Sequence, residues 1–232
     1  LPTLRLIGPG RAGRSLAAAL PWTVAEPFLG RGDDMRGAAQ GVDAVLIATP
    51  DAAVAEVAGA IEPVDGTVVL HMAGSLGLDV LEPHPRKASI HPLVAMPEPE
   101  PDPDRLRHGA WFAVAGDPIA RRMVDELDGH AIDVPDHKRA LYHAAAVIAS
   151  NHLVALLGQV ERVAAAADVP LAAYVDLVRQ TVDNVAALGP AKALTGPVAR
   201  SDWATVDRHL AALPDDERPA YEAMVKEAAR CR

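Results

Sequence analysis

The chain has 232 residues, half of them hydrophobic, with 22 basic against 31 acidic side chains and a formal net charge of −9. At about 150 residues per domain this is one medium domain plus a smaller one, or one large domain, with enough apolar content for a core and too much for a disordered chain. The acidic balance argues against a binder of nucleic-acid phosphates, and three Trp, three Tyr and two Phe are too few for a base-stacking platform.

In chain order, the first half alternates short β-like runs with helical ones. Strands are expected over 4–7, 24–29, 44–48, 67–71, 88–90, 111–115 and 131–134. Helices are expected over 14–20, 35–40, 52–61 and 119–127. The run Ala44-Val45-Leu46-Ile47-Ala48 is continuously apolar, as in a central parallel strand covered on both faces. Alternating β and α elements predict α/β architecture, a parallel or mostly parallel sheet with helices on both sides. Between His91 and Arg107 the pattern breaks. Pro97, Pro99, Pro101 and Pro103 alternate with acidic residues, which reads as an extended surface connection; a lid over a site near His91 is the functional alternative.

From residue 136 the strand signals vanish. Helices are expected over 141–167, 171–188, 203–213 and 216–230, punctuated by Gly158, Pro170, Gly189-Pro190, Gly196-Pro197 and Pro214. The boundary is therefore placed at 135, giving a Rossmann-like NAD(P)-binding domain over 1–135 and an all-α substrate and dimerisation domain over 136–232. The apolar stretch 140–158 carries His143, Ser150, Asn151 and His152, and reads as a buried helix rather than a membrane span. The second half is too small and apolar to stand alone, so it is expected to pack on the first domain and on a second copy as a homodimer. The start, Leu1-Pro2-Thr3-Leu4-Arg5, lacks the layout of a signal peptide. Cys231 is the one cysteine, which excludes an internal disulfide and a cysteine zinc site and is compatible with the reducing cytoplasm.

Gly8-Pro9-Gly10-Arg11-Ala12-Gly13 carries the most chemistry. It follows a strand and opens a helix, the context that the dinucleotide fingerprint requires. Gly8 permits the tight turn, Gly10 lets backbone approach a pyrophosphate, and Gly13 lets helix pack on strand, with Arg11 and Ala12 in the same loop. The helix N-terminus then offers free N–H groups to phosphate. After the second strand, Arg31 stands where a 2′-phosphate clamp would stand and favours NADP; Asp33 keeps NAD open. Ala48-Thr49-Pro50 ends the third strand and should line the cofactor groove. Ser75, in the turn Ala73-Gly74-Ser75-Leu76-Gly77, and His91, before Pro92, follow neighbouring strand ends and should share one crevice. A serine hydroxyl can hold a substrate oxygen and a histidine can move a proton near neutral pH. At about 100° per residue, Ser150 lies about 20° and Asn151 about 80° from His143 on one helix face. Otherwise Ser75 is a turn residue, His91 a packed histidine, and the helix stripe a structural network. No histidine spacing suggests a metal. The Ser75 turn loosely mimics a hydrolase nucleophile elbow but lacks its first glycine.

These residues carry a resemblance. Leu6-Ile7-Gly8-Pro9-Gly10-Arg11-Ala12-Gly13, Leu46-Ile47-Ala48-Thr49-Pro50-Asp51, Gly74-Ser75-Leu76-Gly77 and Ser89-Ile90-His91-Pro92-Leu93 are the carriers in the first half. Tyr142-His143-Ala144-Ala145-Ala146 through Ser150-Asn151, and Leu194-Thr195-Gly196-Pro197-Val198-Ala199-Arg200, are those in the second. Across nearly its whole length the chain resembles bacterial proteins of the 6-phosphogluconate dehydrogenase-like superfamily, in which a Rossmann-like domain precedes an uncharacterised all-α domain. The resemblance implies an NAD(P) domain, a helical domain that often dimerises, and oxidoreductase activity. Ser75 and His91-Pro92 look like the Ser and His-Pro elements of prephenate dehydrogenases. The hydroxyacid dehydrogenases of this superfamily place a catalytic lysine one helical turn before an asparagine, whereas Val147 stands four before Asn151 here. His91 or His143 must then serve as acid/base.

The reading is an NADP-dependent oxidoreductase acting on a small oxo, hydroxy or imino acid. Ser75 and Asn151 orient the substrate, and Thr195 and Arg200 are candidates for binding its carboxylate. A non-catalytic dinucleotide sensor is the alternative. No nucleic acid and no membrane partner is expected.

Overall fold

Leu4, Leu6 and Ile7 are fully buried while Arg5 between them is half-buried, the alternation of a strand inside a sheet. In the computed structural model, which describes residues 1–97 and 100–232, that strand is β1 (Thr3–Ile7), followed by β2 (Thr23–Leu29), β3 (Ala44–Ile47), β4 (Val68–His71), β5 (Lys87–Pro92), β6 (Trp111–Gly116) and β7 (His130–Asp133). Pro99 of the proline-rich run lies outside the described residues. The order in the sheet is β2-β1-β3-β4-β5-β6-β7. The first five strands are parallel, β6 pairs antiparallel with β5, and β7 runs parallel to β6. This is the Rossmann-type α/β sheet that the alternating pattern implies.

All four residues of β3 and all four of β4 are buried, so both faces are covered. Leu4, Leu6, Leu46, Leu70, Ile90 and Phe112 point into one core layer with Leu16 of α1 (Arg11–Ala19) and Met123 of α3 (Ile119–Glu126). Ile7, Val45, Ile47 and Val69 point into the other with Val54 and Ala58 of α2 (Val54–Ala60). α1 begins at Arg11, three residues before the expected start, because Gly10 already serves as its N-cap. The helix expected over 35–40 does not form. That stretch is a pair of turns, with Ala38 N–H on the Met35 carbonyl at 3.0 Å and Gln40 N–H on the Gly37 carbonyl at 3.1 Å, ending at Gly41 with φ +69°. Gly37 and Gly41 lower the helix propensity of a segment that spans barely two turns.

The chain divides into two compact units, Leu1–Ser150 and Asn151–Arg232. The first unit thus includes α4 (Arg139–Val147). The second contains α5 (Leu153–Ala165), α6 (Ala172–Leu188), α7 (Pro190–Ala193), α8 (Gly196–Ala199), α9 (Trp203–Ala212) and α10 (Arg218–Arg230). Two of the expected breaks nucleate one-turn helices instead, since Pro190 and Pro197 sit in the first turn, where a missing N–H costs nothing. Within this unit the carboxylate of Glu217 takes the Arg162 guanidinium, and the Gln159 amide donates to the Glu217 carbonyl at 3.0 Å.

The helix around 140–158 differs from expectation in two ways. A π-helical turn, Ile148–His152, interrupts it, so the 100° spacing that aligned His143 with Ser150 and Asn151 does not hold across that turn. It is also not buried. Leu141, Ile148 and Val154 are 75%, 59% and 71% exposed. The whole helical run Asp136–Ala165 has 30 residues and, by length and composition, could cross a membrane; its first turns, however, are tied to the sheet by side-chain bonds described below.

A Cβ on Gly13 would lie 2.6 Å from the Ala48 Cβ and 2.9 Å from Leu6 Cδ1. Gly13→Ala is therefore expected to lower stability by about 1–3 kcal/mol through overpacking. Urea unfolding followed by far-UV circular dichroism checks it.

Candidate active site

β2 lies on one side of β1 and β3 on the other, so the chain reverses its winding between them. Ligands of open α/β sheets gather at the carboxyl ends of the strands flanking such a switch point. Gly8 leaves β1 with φ +82°, and a Cβ there would sit 2.9 Å from the Ala48 carbonyl carbon and oxygen and from Thr49 Cγ2. Gly10 is the opposite case, with nothing within 4 Å of where its Cβ would be. The loop is thus clamped at Gly8 and Gly13 and open at Gly10. Ala12 packs on the core. Thr49 Oγ1 is buried and has no hydrogen-bond partner, and Pro50 precedes the 3-10 turn Asp51–Ala53 that leads into α2. An open backbone cradle at a helix N-terminus, with an orphaned hydroxyl beside it, fits a dinucleotide pyrophosphate.

The Arg11 side chain donates to the carbonyls of Met96 and Pro97 at 2.9 and 2.8 Å, and Asp102 N–H donates to Ser15 Oγ at 2.9 Å. The connection after β5 is therefore fastened to α1, at the glycine-rich end. At the end of β2, Asp33 accepts from Gly30 N–H at 2.7 Å. Its carboxylate closes its own turn, while Arg31 is exposed.

A second cluster surrounds Gly74. A Cβ at Gly74 would lie 2.6 Å from His143 Cδ2 and 2.8 Å from His91 Nε2, so the two imidazoles close on its backbone. The His91 and His143 rings are edge-to-face with centroids 5.7 Å apart. His91 Nδ1 lies 2.8 Å from the Tyr142 hydroxyl. Burial, then the neighbouring His143 and Arg139, pull the His91 pKa down to about 4, so the ring is neutral at pH 7. Ser75 Oγ donates to Asp51 Oδ2 at 2.9 Å. With its proton so engaged, Ser75 offers lone pairs to a ligand donor. Its partner is a carboxylate and not an imidazole, which leaves the hydrolase elbow without its base.

Beneath these lies a buried layer. His71, at the end of β4, is fully buried; its Nε2 meets the Gly77 carbonyl at 3.1 Å and its Nδ1 accepts Ala73 N–H at 3.1 Å. A carbonyl can only accept and an N–H can only donate, so His71 is the neutral Nε2–H tautomer. Burial also lowers its pKa. Arg139 is fully buried, bonds Ser89 Oγ through Nη2, and leaves Nε and Nη1 without a partner. At the exposed rim of this layer, Asp136 Oδ2 accepts Leu78 N–H at 2.9 Å.

Of the residues singled out in the sequence, Ser75, His91 and His143 thus lie around the Gly74 turn in the first unit. Ser150 ends that unit, with Oγ on the Ala146 carbonyl at 2.7 Å. Asn151, Thr195 and Arg200 belong to the second unit and are exposed; Thr195 caps α8 without a side-chain bond, and Arg200 follows that helix. Sequence reasoning missed Tyr142, Arg139, His71 and Asp51 as site residues. Tyr142 adjoins His143 and Asp51 follows Pro50, but no local signal marks their partners. No group of three or more His, Cys, Asp or Glu that could hold a metal ion occurs among the described residues.

A Rossmann-type sheet with its glycine loop at the switch point, followed in the chain by a helical unit, defines the fold class. More particularly, residues 112–228 match the family described as Domain of unknown function (DUF2520), and the chain belongs to it. No curated protein matches the chain. Among solved structures, a proposed NADP oxidoreductase from Bacteroides fragilis is 20% identical with a TM-score of 0.80, over 99% of this chain and 98% of that one. Protein TM1727 from Thermotoga maritima is 24% identical with a TM-score of 0.77, over 98% of each. A reductive aminase from Aspergillus terreus, in complex with NADPH4, cyclohexanone and allyl amine, is 13% identical with a TM-score of 0.73, over 99% of this chain and 94% of that one.

His91 and His71 are held neutral in the fold, whereas histidine in the unfolded chain titrates near about 6.5. Below that pH the unfolded state binds more protons, so stability is full above about 6.5 and falls as pH drops toward the folded-state value, about 4 for His91. The urea midpoint is expected to fall between pH 7 and pH 5, and to fall less in His91→Gln.

Proposed function

We propose that this protein is an NADP-dependent oxidoreductase, transferring hydride between the nicotinamide and a small oxo, hydroxy or imino acid. The observation that carries it is the switch-point cradle, clamped at Gly8 and Gly13, open at Gly10, and flanked by the orphaned Thr49 hydroxyl. The proton-handling cluster at the next strand ends gives such a cradle a purpose. The fold neighbours named as NADP and NADPH proteins support the same reading.

In it, Gly8, Gly10, Arg11, Ala12, Gly13, Ala48, Thr49 and Pro50 form the pyrophosphate side of the cofactor site. Arg31, exposed beside an Asp33 that is engaged with its own turn, takes the 2′-phosphate; NAD is the weaker partner. The bound dinucleotide supplies or accepts the hydride. His91 or His143 holds the proton, Ser75 and Asn151 orient the substrate, and Thr195 and Arg200 receive its carboxylate. The working division is an NAD(P) domain over 1–135 and a substrate and dimerisation domain over 136–232, in a cytoplasmic enzyme. A homodimer through the helical part would cover Leu177, Val182, Val185 and Leu188 of α6, which has no buried residue in the single chain. The second reading, a dinucleotide sensor without turnover, is favoured by Val147 standing where related dehydrogenases carry lysine.

Gly10→Ala tests the cradle, because the added methyl meets no protein atom. Its melting temperature should match the wild type, while NADPH affinity drops tenfold or more, about 1.4 kcal/mol. Unchanged affinity rejects the cradle as the cofactor site. Arg31→Ala should narrow the preference for NADPH over NADH. Sedimentation velocity should give the mass of two chains; a monomer at micromolar concentration rejects the helical seam.

A further inference from the structure

We propose that Tyr142 is a further catalytic residue of this site, passing the proton between the substrate's oxygen or nitrogen and His91, and that the buried Arg139 is the positioning residue that aims it; the proposal rests on the oxidoreductase reading above.

The geometry is a pair of rungs between α4 and β5. Arg139 and Tyr142 are three residues apart on the helix and so share a face. Ser89 and His91 are two apart on the strand and so share a face. Arg139 bonds Ser89 Oγ, and the Tyr142 hydroxyl bonds His91 Nδ1 at 2.8 Å. A turn of the helix about its axis would break both rungs together.

Stability does not explain the lower rung. A buried guanidinium with Nε and Nη1 unpartnered is costly, and an apolar side chain of like volume would hold α4 at lower cost. What the cation does is electrostatic. The charged and titratable groups around His91 are Arg139 and His143 on α4, Asp51 before α2 and His71 at the end of β4. Arg139, His143 and His71 oppose an imidazolium and Asp51 alone favours one. Burial and these groups keep His91 neutral; in the relay it is the Nε2–H tautomer, with Nδ1 accepting the Tyr142 O–H. Tyr142 is half-buried, and after donating to Nδ1 its oxygen keeps lone pairs for a substrate O–H or N–H.

In the oxidative direction the substrate carbon loses a hydride to an oxidised nicotinamide. The substrate's O–H or N–H bond breaks as its proton passes to the phenol oxygen, and the phenol's own proton moves to His91 Nδ1. As Nδ1 takes that proton, Nε2 gives its own to water, so the ring passes to its other neutral tautomer without standing as an imidazolium. Reduction of a carbonyl or imine starts from that Nδ1–H tautomer and runs the same steps backwards, with water giving Nε2 its proton. This assigns the proton role without the missing lysine, because the phenol stands between imidazole and substrate.

The test uses the full chain, NADPH and a panel of 2-oxo acids and cyclic imines. Tyr142→Phe removes one oxygen and should lower kcat by about a hundredfold or more, the scale of general acid–base catalysis, with KM and NADPH affinity nearly unchanged. Arg139→Met should lower kcat and displace the kcat–pH profile, and Arg139→Lys should restore part of both, which a packing role alone would not give. Nitrogen-15 NMR should report His91 Nδ1 as a hydrogen-bonded acceptor in the wild type and show its resonance moving in Tyr142→Phe. Wild-type turnover with kcat kept in Tyr142→Phe overturns the relay alone. A wild-type protein that binds NADPH but oxidises it with no member of the panel overturns the relay and the oxidoreductase reading together. An unmoved Nδ1 resonance overturns the Tyr142–His91 bond whatever the kinetics.

Discussion

The crossing of β1, α1 and β3 leaves no room for a side chain at two of three fingerprint positions, and the organisation of the first unit follows from that. Gly8 turns into the left-handed region directly against the Ala48 backbone, and Gly13 lets α1 settle on Leu6 and Ala48. Those contacts set where α1 begins and which way its N-terminus faces. They also leave Gly10 standing clear, so one packing constraint makes both the tight seam and the open cradle beside it. The rest of the sheet extends from this seam with every residue of β3 and β4 buried, so polar groups can collect only at the strand ends.

What collects there is held in a defined protonation state by burial and mutual repulsion. His71 is fixed as one tautomer by a carbonyl on one nitrogen and an N–H on the other. His91 is kept neutral by burial and by the positive groups about it. Arg139 adds a charge that the protein interior does not want, and gives the region its electrostatic sign. A site arranged in this way resists acid less well than an apolar one, and gains an imidazole that keeps its neutral form at pH 7.

Much of this was legible in the sequence, for reasons that can be named. The strands and most helices announce themselves because period-two and period-four apolar patterns are local, and the glycine fingerprint is a local steric code. The failures are equally specific. The segment 35–40 has a helix-like composition but contains Gly37 and runs into Gly41. The π-turn Ile148–His152 reorders a helix face without any compositional mark. Tyr142 was in view as part of a motif, yet its partner lies 51 residues away, and only the paired placement of α4 and β5 brings the two together. Arg139 reads in sequence as an ordinary basic residue near a helix start; its burial is a tertiary fact.

The reversal of β6 has a geometric consequence for the helix that follows the sheet. Because β6 and β7 run back toward the edge where β5 begins, the chain must climb again to reach the carboxyl ends, and α4 makes that ascent beside β5. Its placement is fixed at three points: Asp136, in the 3-10 turn that leads into it, at Leu78, then Arg139 at Ser89 and Tyr142 at His91. The helix is in effect a ruler graduated every third residue. Adding or removing one residue between Val134 and Arg139 would swing every graduation beyond it by about 100° and carry Tyr142 off its mark. The stretch joining β7 to α4 is therefore among the least able in the first unit to change length.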